Sequence, residues 1–336
     1  MVSASFRVPP SPVSDAPPVL VTSGPALFQD SVADAAPCQL PSPLADSTCC
    51  WTLLDFPGIA LKNSLNKCWY HSSLHFLSAI PALRMLCMTP PAADDFSRRF
   101  FEAICALFHT RASATVASFF SQVMDFNGRD NRYGQIAVPD FIEYLCSRVT
   151  QLAQLVSVSL ITQLQCSRCK WISESSSNDL SIKLYIPSDV KRIHLGNLFN
   201  YNSFETLSLT EAVYCGKCNL KTSHTKSRTY GNPDMVFIEI IRVSEHNNYW
   251  TKNNASIDFN VTKLKLPRFQ RLYNVPATCH HRGSLNGGHW LTKFRTTHGW
   301  WELDDLRNKN YTCYPPDSRD SVTYLLLIAD NTLKMN

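Results

Sequence analysis

The residues that could do chemistry are a cysteine near the start of a helical pattern and a histidine and an aspartate far downstream. Cys68 lies in "LKNSLNKCWYHSSLHFL" (residues 61–77), between small polar residues and apolar residues spaced three and four apart. A thiol in that setting is either buried packing at a helix start or a nucleophile. The choice turns on a base and an orienting acid elsewhere, since catalytic partners meet in space and not in sequence. "CHHRGSLNGGHWLTKF" (279–294) supplies three histidines, and "GWWELDDLRNKN" (299–310) supplies acids. His289 follows Gly287-Gly288 at the start of a strand pattern, where small neighbours would leave the imidazole edge accessible. Asp304 comes fifteen residues later, after a Trp-rich strand. A turn near Thr296–Gly299 would set the two strands side by side and bring imidazole and carboxylate together. Cys68, His289 and Asp304 then make a candidate triad of thiol nucleophile, base, and acceptor for the base's other ring nitrogen. Asn63, five residues before the cysteine, could aim its side-chain amide at the oxyanion formed when sulfur attacks a carbonyl. A helix N-terminus at Cys68 would also favour the thiolate, through the dipole and unpaired N–H groups. Against this stands the plainer reading of the same residues: an inert packing cysteine, a turn histidine and a solvated strand end.

Four further cysteines fall in two pairs, Cys166 and Cys169 in "CSRCKW", Cys215 and Cys218 in "YCGKCNL". Each pair sets two thiolates on a tight turn, with Gly216 and the small Ser167 easing the backbone. Four thiolates in tetrahedral array suit Zn²⁺ in a closed structural site. The gap of about 45 residues between pairs exceeds that of a compact zinc finger, which predicts pairs capping two β-hairpins side by side. Neither pair opens a helix after a strand, so redox chemistry is the weaker reading.

These groups need elements to position them. Residues 1 to about 50 are rich in Pro, Ala, Ser and Asp and are expected to form a disordered arm. From Cys68 to about Cys146 the apolar spacing is helical, in "HSSLHFLSAIPALRMLC" and "FSRRFFEAICALFHTR". "PDFIEYLCSRV" opens with Pro139 and Asp140, a helix start. After Gln165, "LSIKLYIP", "DMVFIEIIRV", "SIDFNVTKLKL", "HWLTKFRT" and finally "VTYLLLIAD" read as strands. Helices first and sheet afterwards, with the cysteine pairs around the first strands, predict an α+β architecture.

The chain has 336 residues, 44% hydrophobic and 18% charged, and a formal charge of +5. That suits one large domain or two ordinary ones. With no dense Lys/Arg run, neither nucleic acid nor a membrane surface is the expected partner, and recognition of nucleic acid through the Cys-x-x-Cys pairs is the weakest reading. No apolar stretch is long enough to span a bilayer. The first residues carry no continuous apolar segment, so no secretory signal is expected. Thirteen cysteines used as metal ligands and buried thiols, not as a disulfide framework, point to an intracellular, reducing compartment, cytoplasm or nucleus.

The ordered set of segments resembles the ubiquitin-specific protease family of papain-like cysteine peptidases. Its cysteine box, in outline G-L-x-N-x-G-N-T-C-Y-x-N-S-x-L-Q-x-L, is met at Leu61, Asn63, Asn66, Cys68, Ser72, Leu74 and Leu77, with Leu83-Arg84 following. The histidine box, Y-x-L-x-A-V-x-x-H-x-G and then G-H-Y, is met at Tyr273, Ala277, His281, Gly283, Gly288 and His289, with Trp290 for Tyr. "WWELDDL" resembles the segment that supplies the third triad member, at Asp304. "DFIEYL" resembles D-A-x-E-F-L, whose acids contact the basic tail of ubiquitin, a role the resemblance gives to Asp140 and Glu143. The cysteine pairs match the zinc-bearing fingers, and "PDMVFIEIIRV" resembles P-x-x-L-x-I-x-L-x-R-F. Departures fall at Leu65 for Gly, Lys67 for Thr, Val138-Pro139 for Gln-Gln and Val243 for Phe.

The resemblance covers about residues 58 to 330. It implies a helical thumb, a β-rich palm and zinc-ribbon fingers, with a catalytic domain over 51–336 and the fingers inserted at about 160–240. It implies a thiol-dependent deubiquitinase that hydrolyses the Gly–Lys isopeptide bond between ubiquitin and a target protein. "CW" after the K-N opening also resembles a divergent branch acting on SUMO, so a SUMO isopeptidase of the same fold is the alternative. A modifier-binding module without activity is the third reading, and retention of all four catalytic positions argues against it.

Overall fold

The computed structural model describes residues 58–330, apart from 64–65, 89–93, 109–111, 125–135, 209–210, 247–248, 286, 308–310 and 317–322. The arm expected over residues 1–50 lies outside the described residues. Among the described residues helices come first: α1 (Cys68–Ser78), α2 (Pro81–Met88), α3 (Asp95–Ala106), α4 (Ala112–Val123), α5 (Val138–Arg148) and α6 (Thr150–Val156). Then come β1 (Val158–Cys166), β2 (Ile172–Asp179), β3 (Ser181–Tyr185), β4 (Arg192–His194), α7 (Leu195–Ser203), β5 (Phe204–Leu207), β6 (Val213–Tyr214), β7 (Lys221–Thr222), β8 (His224–Tyr230) and β9 (Met235–Ile241). They are followed by β10 (Val243–His246), β11 (Tyr249–Lys252), β12 (Ser256–Asp258), β13 (Leu264–Lys265), β14 (Leu272–Gly283), β15 (Gly288–Thr296), β16 (Gly299–Leu303), β17 (Tyr311–Cys313) and β18 (Thr323–Asp330).

The helix boundaries have local causes. Pro81 ends the apolar run that begins at Cys68, giving α1 and α2 where the periodicity alone reads as one helix. The Asp94 side chain caps α3 by accepting the Ser97 N–H at 2.9 Å. Pro139 sits in the first turn of α5, where its missing N–H costs nothing, and Asp140 beside it meets the helix dipole favourably.

The central sheet has the order β17-β16-β15-β14-β18-β9-β3, with β13 on β14. Both faces are covered, and the period-two alternation of the strands divides their side chains between two cores. On β18, Leu325 and Leu327 join the helices while Leu326 and Ile328 face the core of α7. Phe237 on β9 packs with the helices, and Val236, Ile238 and Ile240 on the other side. This explains why "VTYLLLIAD" reads as continuous apolar text. The helix α7, in "LGNLFNYNS", carries too weak an apolar pattern to be read from sequence, and its Leu198 and Phe199 complete the second core.

A second sheet, β2-β1-β8-β5, is two-sided and polar; β2, "ISESSSND", is nearly all exposed. β1 starts at Val158, seven residues before the change of pattern visible at Gln165. The β1–β2 turn and the β6–β7 turn carry the two cysteine pairs, as the spacing predicts. These fingers alternate in sequence with pieces of the main body, because β3 and α7 fall inside the same stretch.

The helix that begins at Cys68 is central. All eleven residues of α1 are buried, including Ser72, Ser73, Ser78, His71 and His75. Its hydroxyls bond back to the helix, Ser73 Oγ to Trp69 O at 2.7 Å and Ser78 Oγ to His75 O at 2.8 Å, which lets polar residues sit in a core. Trp69 and Tyr70 pack against Phe120 and Phe141 of α4 and α5. The opposite side lies along β15, where Thr292 Oγ1 donates to Ser72 O at 2.9 Å. That bond joins the cysteine's helix to the strand of His289, one turn beyond the first and three residues along the second.

Candidate active site

The loop before α1 is shaped by Asn66, which adopts a left-handed φ of 51°. Asparagine tolerates this conformation better than most residues, and here it turns the chain into the helix. Lys67 N–H then points back to Asn63 Oδ1 at 2.9 Å. Asn63 N–H donates to Asp305 O at 2.8 Å, tying the loop to the end of β16. The Asn63 carboxamide is therefore oriented, its oxygen committed to the helix entrance, and its NH₂ is the end that could meet an oxyanion. Lys67, which departs from the usual threonine, sends its ammonium over the Phe120 ring at 4.4 Å.

Cys68 is the first residue of α1 and is buried. Its thiol is held above the ordinary value, by burial first and also by the charge of Asp305. The backbone N–H groups of Trp290, Trp69 and Cys68 itself pull the other way. The helix N-terminus thus contributes as expected, but it does not win: desolvation outweighs the N–H groups, and the thiol is the resting form. The Trp290 contact also places the sulfur against the residue that follows His289.

His289 enters β15 from a hairpin closed by two glycines. Gly283 has φ 126°, and a Cβ there would lie 2.5 Å from Gly288 Cα. A Cβ on Gly288 would lie 2.4 Å from His281 Nε2, so that glycine makes room for His281 and not for His289. The turn across Thr296–Gly299 pairs β15 with β16, Thr292 opposite Leu303. That register brings His289 Nε2 within 2.7 Å of Asp304 Oδ1. The Asp304 carboxylate also accepts the Leu306 N–H at 3.1 Å and lies 3.4 Å from Arg307 Nε. Burial pushes its pKa up, but the Leu306 N–H, the His289 imidazole and Arg307 together hold it below the usual carboxylate range. With Nε2 on the acid, Nδ1 is the ring nitrogen left for a thiol proton.

The other two histidines of the segment do structural work. His280 is buried and bonded to Thr278 Oγ1 at 2.7 Å. His281 packs on Trp290 and Tyr324, and Lys252 Nζ lies 3.1 Å from its Nδ1. Burial, with the Lys252 charge and His289, pushes its pKa down to about 4.

Two residues at the centre escape sequence reasoning. Asp305 is buried beside Asp304, and His71 Nδ1 meets its Oδ2 at 2.7 Å. The only sequence signal is indirect: Asp305 is the second half of an Asp-Asp pair, and His71 stands where the family's box has Asn.

The four finger cysteines are together. Cys166 Sγ is 3.9 Å from Cys218 Sγ, Cys169 Sγ is 3.5 Å from Cys215 Sγ, and all four sulfurs lie within 4.8 Å of one another. The two turns have the same construction. Lys170 N donates to Cys166 O and Asn219 N to Cys215 O, and Lys170 and Asn219 are left-handed at φ 59° and 58°. The conformational demand falls on these two residues, not on Gly216, whose missing Cβ clears Trp171 instead. Four thiols at this spacing could hold a metal ion.

On α5, Asp140 is exposed and Glu143 half-buried. Glu143 Oε1 receives Lys183 Nζ of β3 at 2.6 Å, on the wall of a small cavity shared with Pro139, Ile142, Leu180 and Glu239.

The family model of the ubiquitin carboxyl-terminal hydrolases matches residues 59–326. The chain belongs to that family. Ubiquitin carboxyl-terminal hydrolase 21 of Homo sapiens is 26% identical over 331 residues, covering 76% of this chain and 59% of that protein. Ubiquitin carboxyl-terminal hydrolase 12 of Saccharomyces cerevisiae is 28% identical over 114 residues, covering 31% of this chain and 9% of that protein. The chain thus spans less than two thirds of the length of these curated relatives. Among solved structures, the SAGA DUB module Ubp8/Sgf11/Sus1/Sgf73 bound to monoubiquitin matches with a TM-score of 0.70 at 17% identity, over 82% of this chain and 69% of that one. The same module bound to ubiquitin aldehyde gives 0.68. The fold of this family member is therefore the ubiquitin-specific protease type that the resemblance implies, and its helices-then-sheet order is the α+β architecture expected from the spacing of apolar residues. Among the described residues, no helix is long and apolar enough to cross a membrane.

Proposed function

We propose that this chain is a cysteine-type deubiquitinase that hydrolyses the Gly–Lys isopeptide bond between ubiquitin and a target protein. The observation that carries the reading is the 2.7 Å His289–Asp304 bond next to a cysteine at the start of a buried helix. Relatives named as ubiquitin hydrolases, and a similarly folded chain seen with ubiquitin, supply the substrate class.

The chemistry follows from the positions. As substrate approaches, His289 Nδ1 takes the Cys68 proton and the sulfur attacks the glycine carbonyl carbon. The resulting imidazolium is steadied by the Asp304 carboxylate, which stays ionised. Asn63 NH₂ and the Cys68 backbone N–H hold the oxyanion; one such donor is worth roughly 3 kcal/mol in the transition state. On collapse, His289 gives its proton to the departing lysine amine and a thioester remains on Cys68. His289 then takes a proton from water, whose oxygen displaces the sulfur, releasing the glycine carboxylate and restoring the thiol. The raised resting thiol fits this order of events, because the proton leaves sulfur only when the imidazole can receive it.

Asp140 and Glu143 are the groups we assign to the basic tail of the modifier. Lys183 already occupies Glu143 in the free protein, so a tail arginine must displace it. The paired change D140N/E143Q is expected to raise KM for a ubiquitin substrate about tenfold, with kcat within about twofold, as loss of uniform binding requires. K183A is expected to lower KM slightly, a few-fold at most, since an exposed ion pair is worth up to about 1 kcal/mol. Steady-state kinetics on a fluorogenic ubiquitin substrate read both.

Zinc is the metal we assign to Cys166, Cys169, Cys215 and Cys218, where it would tie the two finger turns together without entering the chemistry. The donor set fits: sulfur ligands only, paired on matching turns. Elemental analysis of the purified chain is expected to give about one zinc per chain, and none in C169S/C215S. The variant should also lose the fingers' protection from protease while the main body stays resistant.

The modifier itself is decided by hydrolysis of a C-terminal fluorogenic amide of ubiquitin against the same amide of SUMO. Faster release from ubiquitin is the expected result. Release from SUMO alone would make the chain a SUMO isopeptidase, and release from neither would leave a modifier-binding module.

A further inference from the structure

His71 lies one helical turn beyond Cys68, on the side of α1 that meets the end of β16. It and Asp305 form a buried pair, Nδ1 to Oδ2 at 2.7 Å, with side chains only 7% and 4% exposed. The other carboxylate oxygen, Asp305 Oδ1, is buried without a hydrogen-bond partner among the described residues and lies 3.7 Å from His289 Nε2. A buried carboxylate oxygen left unpaired is costly and calls for a reason. The same residue's backbone oxygen holds Asn63 N–H at 2.8 Å, and its charge is felt at Cys68. One residue therefore touches the cysteine's helix, the loop that carries the oxyanion donor, and the base.

Resting on the reading of Cys68, His289 and Asp304 as a triad, we propose that His71 is a positioning residue for the base: by binding Asp305 Oδ2 it presents Oδ1 to His289 as a second acceptor. During turnover the imidazole must reach the sulfur, the leaving amine and then water. A small rotation exchanges Asp304 Oδ1 at 2.7 Å for Asp305 Oδ1 at 3.7 Å, so Nε2–H keeps a carboxylate partner through the movement. His71 supplies what the carboxylate lacks. Its N–H fixes the rotation of the Asp305 group, and it draws the acid's charge away from a sulfur that must become an anion. His75, the next buried histidine on the same helix, is pushed down to about 3 by burial and by His71, so it stays neutral and leaves the pairing to His71. The family's box carries Asn at position 71, a side chain that can also donate to a carboxylate. The property at issue is the donor, not the imidazole.

The test compares H71A and H71N, each alone and combined with D304A, by kcat and KM on a fluorogenic ubiquitin substrate. H71A is expected to lower kcat several-fold with KM within about twofold, and H71N to restore most of the loss. In the D304A background, where Asp305 is the acceptor that remains, H71A is expected to cost at least about tenfold more than it does beside Asp304. Equal losses from H71A in both backgrounds, or an H71N as damaged as H71A, would overturn the proposal and leave a packing role. If H71A does not fold, D305N in the same two backgrounds reads the same coupling, mild with Asp304 present and severe without it. C68A serves as the separate control: turnover surviving it would overturn the triad itself, whatever the His71 variants do.

Discussion

C68A is expected to abolish hydrolysis of ubiquitin amides and isopeptides, by four orders of magnitude or more, to about the floor of the assay. On the proposed mechanism the sulfur is the atom that bonds to the glycine carbonyl, and it lies against the backbone N–H of Trp290, the residue after His289. The change removes one small buried atom from a helix held along its length, so the fold should lose only about 1 kcal/mol. Affinity for ubiquitin, measured by calorimetry, should remain, because the tail groups and the fingers are untouched. Turnover at an undiminished rate would remove Cys68 from the mechanism.

The second large effect is that of H289A. Loss of a general base that also acts as acid costs typically 10²–10⁴-fold, and here the upper end is expected because the same imidazole serves both half-reactions. The resting thiol sharpens the outcome. Burial and Asp305 hold Cys68 above its ordinary value of 9.0, so without His289 the thiol is expected to lose its proton only as the pH rises toward that raised value. The thiolate fraction is then small at pH 7 and grows about tenfold per pH unit until the raised pKa is reached. Labelling of H289A by a ubiquitin carrying a C-terminal electrophile should accordingly be slow at pH 7 and climb steadily toward pH 9. The wild type, with its base in place, should react fast already at neutral pH. A fast, pH-independent H289A would mean that another group accepts the proton.

The candidate site was more legible in the sequence than its supports. Cys68 before a helical pattern, His289 opening a strand and Asp304 after the partner strand fix the order of the site, and the turn at Thr296–Gly299 supplies the register. The cysteine pairs announce matching turns because two thiols two residues apart have few other uses. The large elements follow from periodicity, as on β18, where alternate leucines feed two cores. What sequence hides is whatever depends on distance. His71 lies inside a run that reads as an apolar helix face, and only the approach of β16 turns it into the partner of a buried acid. The burial of Cys68 is of the same kind: position at a helix start predicts a lowered thiol, while burial, with the charge of Asp305, decides for a raised one. Backbone demands were also misplaced by composition. Glycine marks Gly216 as the special residue of its turn, yet Asn219 and, in the twin turn, Lys170 take the left-handed conformation.

The central claim is that Cys68 is the nucleophile activated by His289, and covalent trapping reads it most directly. The chain is treated at neutral pH with ubiquitin bearing a C-terminal vinyl sulfone, digested, and the modified residue located by mass spectrometry. One added modifier remnant is expected per chain, on the peptide that contains Cys68, and none on H289A in the same time. A remnant on any other cysteine, or a wild-type chain that stays unmodified after the probe has been shown to bind, would contradict it.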